Sequence, residues 1–171
     1  ASAPAAGGYD MTGMLNYFLS LDTYHQPYYL AYVAFSYKTS YDWGLQLSDI
    51  FNEPYASLIP QYFNGQHSGG EINSVLSYSV NLLLNENFRN NFYTDPSLNV
   101  VVEAFEENSF NQWVPKTKMF MYHGTVDITV PYQNSVDTYN NFITNGVNSS
   151  LVEFIPLESR THSTGAIPYI L

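Results

Sequence analysis

The stretch that most constrains this chain lies near its end. Thr117-Lys118-Met119-Phe120-Met121-Tyr122 is a short apolar run that closes on His123-Gly124, the signature of a buried strand. From Asn134 to Asn145, Val136, Tyr139, Phe142 and Ile143 share one helical face, and Gly146 is the natural stop. Leu151-Val152-Glu153-Phe154-Ile155 is a second strand, ended by Pro156. Strand, helix, strand at this spacing predicts a βαβ unit, with parallel pairing and a right-handed crossover. In parallel α/β sheets, ligands meet the loops beyond the carboxyl ends of the strands. The chemistry is therefore expected after Tyr122 and after Ile155.

Each of those loops holds one titratable residue of interest. Asp127 lies in His123-Gly124-Thr125-Val126-Asp127-Ile128-Thr129-Val130-Pro131, and His162 in Leu157-Glu158-Ser159-Arg160-Thr161-His162. An acid after one strand and a histidine after the next form the second half of a nucleophile–acid–base relay. The carboxylate orients the imidazole and stabilises it when charged, and the imidazole takes and returns the nucleophile's proton. Alone, Asp127 would read as a loop carboxylate capping the next helix, and His162 as a solvated loop histidine. The strand context of both favours the relay. His123 reads as a strand-end residue that shapes the turn with Gly124.

Upstream the texture differs. Residues 12–21 are apolar at Met14, Leu15, Phe18 and Leu19, a helical spacing, and Pro27 opens a second helix with Leu30, Val33, Ala34 and Tyr37 on one face. Residues 45–63 read as short helices broken at Pro54 and Pro60, and Asn64-Gly65-Gln66-His67 as a turn. Ser68-Gly69-Gly70-Glu71 has capping-box spacing ahead of Ile72. Residues 82–93 and 97–107 are further helical candidates around Asp95-Pro96. Residues 10–110 are thus mostly helical. Tyr24, Tyr28, Tyr29, Tyr32, Phe35, Tyr37 and Tyr41 form a dense aromatic cluster that packs helices or lines a pocket.

Residues 117–162 resemble the C-terminal end of an α/β-hydrolase. That family's pattern is an apolar strand, His-Gly-x-x-Asp-x-x-Val-Pro, a helix, Gly, an apolar strand and the catalytic His. This chain matches it at His123, Gly124, Asp127, Val130, Pro131, Gly146 and His162. Ala3-Pro4-Ala5-Ala6-Gly7-Gly8-Tyr9-Asp10 is similar to the segment after the nucleophile helix in secreted esterases and lipases. The resemblance implies an α/β fold, the C-terminal part of the hydrolase sheet with about three parallel strands. Residues 1–12 and 111–171 would form the partial core and residues 13–110 a largely helical cap. It also implies cleavage of carboxylic esters by a Ser-His-Asp mechanism, with Asp127 and His162 as acid and base and no cofactor.

The nucleophile elbow, Gly-x-Ser-x-Gly on a strand-to-helix turn, is expected upstream of Ala1. Ser68, in Gln66-His67-Ser68-Gly69-Gly70, is the internal serine to test, but Gln stands at 66, no buried strand precedes it, and its pairing with Glu71 explains it as a cap. Ser163 sits beside His162, and adjacency in sequence does not give relay geometry. This chain alone is therefore expected to be inactive and to associate with the missing N-terminal part or with itself.

Composition narrows the alternatives. The 171 residues carry a net charge of -10, which disfavours nucleic acid and anionic membrane surfaces. Cysteine is absent, so disulfides, zinc–thiolate sites and cysteine nucleophiles fall away. His25 and His67 lack partners at ligand spacing, so no metal site is expected. No apolar run approaches ~18 residues, so no membrane span is expected. The content of Tyr and Asn, with few lysines, suggests an exported protein, secreted or periplasmic, and the resemblance implies a small-molecule ester as substrate. The alternatives are a peptidase of the same fold, a carbohydrate-binding module that uses its aromatic faces, or a scaffold protein without activity.

Overall fold

The computed structural model describes residues 1–110 and 112–170. In chain order the helices are α1 (Met11–Leu19), α2 (Pro27–Ser40), α3 (Tyr55–Tyr62), α4 (Gly69–Val75), α5 (Val80–Leu83), α6 (Glu86–Asn91) and α7 (Asn99–Glu107). There follow β1 (Met119–Gly124), α8 (Tyr132–Thr144), β2 (Val152–Leu157) and α9 (His162–Ile170). Single 3₁₀ turns occupy Leu47–Asp49 and Pro96–Leu98. Two compact units emerge, Ala1–Tyr17 with Glu106–Leu171, and Phe18–Phe105.

The first unit is α/β. β1 and β2 pair in parallel, with Met121 opposite Phe154 and His123 opposite Pro156. The expected third strand is reduced to two isolated parallel bridges, Ser2 to Met119 and Ala5 to Tyr122, on the other edge of β1. Pro156 does not end β2, which continues to Leu157. A strand with one paired edge tolerates a residue without an N–H. α8 packs on both strands and α9 on β1. Gly146 adopts φ +87° beyond α8, a conformation that L side chains rarely hold. Met121, Phe142, Val147, Val152 and Tyr9 form the apolar core of this unit.

The second unit is helical. Ile50, Phe51, Ile59, Val80, Leu83, Leu98 and Val101 are buried at its centre. Asn73 is buried too, and its side chain caps α2: the Tyr28 N–H donates to Oδ1 at 2.9 Å and Nδ2 donates to Gln26 Oε1 at 2.6 Å. Pro60 lies inside α3 rather than breaking it. It removes one N–H, and the Phe63 N–H beyond the helix end donates to Ile59 O at 3.0 Å. The aromatic cluster packs ring on ring, for instance Tyr37 edge-on to Phe105 at 5.4 Å and Phe35 against Phe63 at 6.0 Å.

Candidate functional site

The two loops beyond the carboxyl ends of β1 and β2 meet, and main-chain bonds stitch them. Thr125 N–H donates to Leu157 O at 3.1 Å and Val126 N–H to Arg160 O at 3.1 Å. Ser159 N–H donates to Thr125 Oγ1 at 2.9 Å. Gly124 lies where they cross, and a Cβ there would run into the carbonyl of Arg160. Only glycine allows that approach.

This crossing brings Asp127 and His162 together, 35 residues apart in sequence. His162 Nδ1 lies 2.8 Å from Asp127 Oδ2. A carboxylate only accepts, so Nδ1 is assigned the proton and donates it. The Asp127 side chain is fully buried, while His162 keeps 32% of its side chain exposed. His162 is the first residue of α9 rather than a loop residue. A reciprocal pair starts that helix: Thr161 N–H donates to Thr164 Oγ1 at 2.8 Å, and Thr164 N–H to Thr161 Oγ1 at 3.3 Å.

The other carboxylate oxygen is held by the chain itself. Thr129 N–H and Val130 N–H donate to Oδ1 at 2.9 and 3.1 Å, a turn in which an aspartate binds the backbone just ahead of it. Burial opposes the charge on Asp127 most strongly. Hydrogen bonds from His123 and His162, the charge of His162 and the Thr129 amide together outweigh it and hold the carboxyl well below its ordinary range. The same bond to Asp127 raises His162, against the effect of burial. A buried carboxylate that orients a partly exposed imidazole is an arrangement that can take up and return a proton.

His123 stands near the end of β1, as its reading as a strand-end residue expects, and its side chain has further partners. Alternation along β1 turns Met121 and His123 the same way, and both are buried. The His123 Nε2 lies 3.2 Å from Asp127 Oδ2 and its Nδ1 2.6 Å from Ser135 Oγ. A histidine on the inward face of an otherwise apolar strand requires a buried partner, and that period-two signal was present in the sequence. Tyr17 is a second addition: burial and the nearby charge of Asp127 both raise its hydroxyl.

The serines resolve differently. Ser68 is the N-cap of α4, with Oγ accepting from Glu71 N–H at 3.3 Å and its own N–H donating to Glu71 Oε2 at 2.7 Å. Ser163 follows His162 on α9 and is exposed. Among the described residues no group of three or more His, Cys, Asp or Glu side chains is arranged to hold a metal ion. None of the described helices is long and apolar enough to cross a membrane. A groove of about 360 Å³ in the helical unit, with Lys38 and Glu53 on its walls, contains neither Asp127 nor His162.

No family model matches the chain. The rice cell wall degrading esterase LipA from Xanthomonas oryzae superposes with a TM-score of 0.78 at 21% identity, covering 99% of this chain and 46% of that one. A candidate hydrolase from Legionella pneumophila superposes with a TM-score of 0.79 at 23% identity, covering 99% of this chain and 45% of that one. Among curated proteins, Lipase 5 of Candida albicans is 37% identical over 73 residues, which is 43% of this chain and 15% of that protein. The chain thus spans a little under half the length of the solved structures it matches. Over that span it has the α/β fold of esterase- and lipase-like hydrolases.

Proposed function

We propose that this chain is the acid–base end of a serine hydrolase that cleaves carboxylic esters, with Asp127 as the acid and His162 as the base. The observation that carries this reading is the 2.8 Å bond from His162 Nδ1–H to a fully buried Asp127 carboxylate. Both residues stand beyond the carboxyl ends of paired parallel strands. A serine hydroxyl supplied by polypeptide outside these residues attacks the ester carbonyl while His162 Nε2 takes its proton. Asp127 stabilises the imidazolium, and His162 returns the proton to the departing alcohol. Water then repeats the sequence on the acyl-enzyme, and His162 again takes and returns the proton.

Residues 1–12 and 111–171 are the partial core in this reading and 13–110 a largely helical cap insertion. The solved relatives extend well beyond the span matched here, which supports a nucleophile elbow outside these residues. The acidic, tyrosine-rich composition and a relative described as degrading plant cell wall support an exported enzyme.

Two measurements test the reading. Fluorophosphonate treatment followed by intact mass should leave the 171-residue chain unlabelled and without esterase turnover. An adduct on it would place the nucleophile inside, with Ser68 the first suspect. In the longer polypeptide, Asp127→Asn should cut kcat by about 10³–10⁴-fold, as removing the acid does in serine proteases. Unchanged turnover there removes Asp127 from the mechanism.

A further inference from the structure

We propose that His123 is a positioning residue for the acid: a buried ring whose Nε2–H lies between Val130 O and Oδ2 of Asp127, the oxygen that His162 also reaches, and that the hydroxyl of Ser135 locks in this role. The proposal rests on the reading of Asp127 and His162 as acid and base. It begins with a cost. The His123 side chain has no exposure, and burying an imidazole is unfavourable unless both nitrogens find partners.

Both do. Nε2 faces Asp127 Oδ2 at 3.2 Å and Val130 O at 3.0 Å. Neither atom can donate, so the proton belongs on Nε2. In the Nε2–H tautomer Nδ1 is an acceptor, and the Ser135 hydroxyl, with Oγ at 2.6 Å, is placed to donate to it. Ser135 is fully buried on α8, so water does not compete for its hydroxyl. Helix α8 therefore fixes the tautomer of His123 from the side away from the acid.

The consequence falls on Asp127. Its carboxylate receives two main-chain N–H groups on Oδ1 and faces two imidazoles at Oδ2. Donors to a carboxylate favour its charged form, and the His123 Nε2–H, bonded to Val130 O, stands 3.2 Å from Oδ2 whether or not His162 carries a proton. Because the two rings share one oxygen, His123 also draws off part of the charge that acts on His162. It steadies the acid and tempers the base. The other ionisable groups at this cluster are Tyr17 on α1, Tyr132 on α8 with its ring 5.7 Å from His123, and Glu158 near Tyr132. Both tyrosines are raised, Tyr17 by burial and Asp127, Tyr132 by burial and Glu158, so they stay uncharged through the neutral range.

The test uses the 171-residue chain and needs no turnover. Imidazole ¹⁵N spectra at pH 7.5 should show His123 with an N–H-type shift at Nε2 and a bare-nitrogen shift at Nδ1. A proton on Nδ1 overturns the proposal. His162 is then titrated in three variants. His123→Phe should raise the His162 pKa by about half a unit to one unit, since Oδ2 then acts on one ring only. His123→Gln, which keeps an N–H within reach, should restore at least half of that shift. Ser135→Ala should move His162 the same way by less. If His123→Phe does not fold, the wild-type spectrum and the other two variants decide. A His162 titration that stays put, or moves equally in the Phe and Gln variants, reduces His123 to packing. Failure of the serine-hydrolase reading would appear instead as full turnover in Asp127→Asn and would leave the tautomer result standing.

Discussion

Between Phe18 and Phe105 the interior is hydrocarbon and aromatic ring, with Asn73 the one buried polar side chain among the described residues. In the unit built from Ala1–Tyr17 and Glu106–Leu171, His123, Asp127, Thr129, Asn134, Ser135 and Thr138 are all buried. The helical unit fills its interior with apolar side chains, and its one buried amide ties α4 to the start of α2. The α/β unit gives up apolar volume to place polar groups where water cannot reach them. Burying such groups gains little stability even when they are fully bonded. The contrast therefore sets the polar interior at the acid and base of the proposed relay.

The strongest way to break this comparison is to remove apolar material from the polar unit. Its apolar core is small, and Phe142 is buried on the same helix that carries Asn134, Ser135 and Thr138. Phe142→Ala should cost about 3–5 kcal/mol in urea unfolding, no less than Leu83→Ala in the helical unit at about 2–5 kcal/mol. A loss below about 1 kcal/mol would mean that the polar network alone holds α8 in place.

A second prediction uses pH, to which only the polar unit should respond strongly. The contact between Asp127 and His162 lowers one group and raises the other. A lowered carboxyl contributes stability above its unfolded range and loses it as pH falls through the folded value. A raised imidazole contributes fully below its unfolded value and loses it as pH rises through the folded one. The pair is therefore worth most between roughly pH 4 and 6.5, the ordinary values of the two groups. Asp127→Asn should cost more stability at pH 5 than at pH 9, and equal penalties at both would dissolve the pairing.

The smallest effect sharpens the comparison from the other side. Ser68→Ala removes the cap of α4 and should lower stability by about 1 kcal/mol. It should leave the titration of His162 unchanged. A shift there would mean that Ser68 does more than cap a helix.

Much of this was legible in the chain. The βαβ unit was readable because an apolar run, a one-faced helix with Gly146 and a second apolar run are local patterns. The strand edges were less so: Pro156 was expected to stop β2, but pairing with β1 carried it one residue further. Residues 82–93, expected as one helix, split into α5 and α6 where Asn85 caps the second piece, its side chain accepting from Asn87 N–H at 2.8 Å. Asp127 and His162 were singled out by their places after two strands. The rest of the cluster was not, because Ser135 reaches His123 across 12 residues and through the packing of a helix on a strand. No local spacing encodes that contact.

The stitching of the two loops has a consequence for how such a sequence can drift. The bonds that bring Asp127 to His162 run mainly through the main-chain atoms of Thr125, Val126, Leu157, Ser159 and Arg160. The side chains of Glu158, Ser159 and Arg160 are exposed. Replacements at Glu158 and Arg160 leave the main-chain ties intact, whereas Ser159, at φ +57°, disfavours β-branched side chains and Gly124 has no freedom to change. A crossing tied together through main-chain atoms keeps its geometry while the side chains around it turn over.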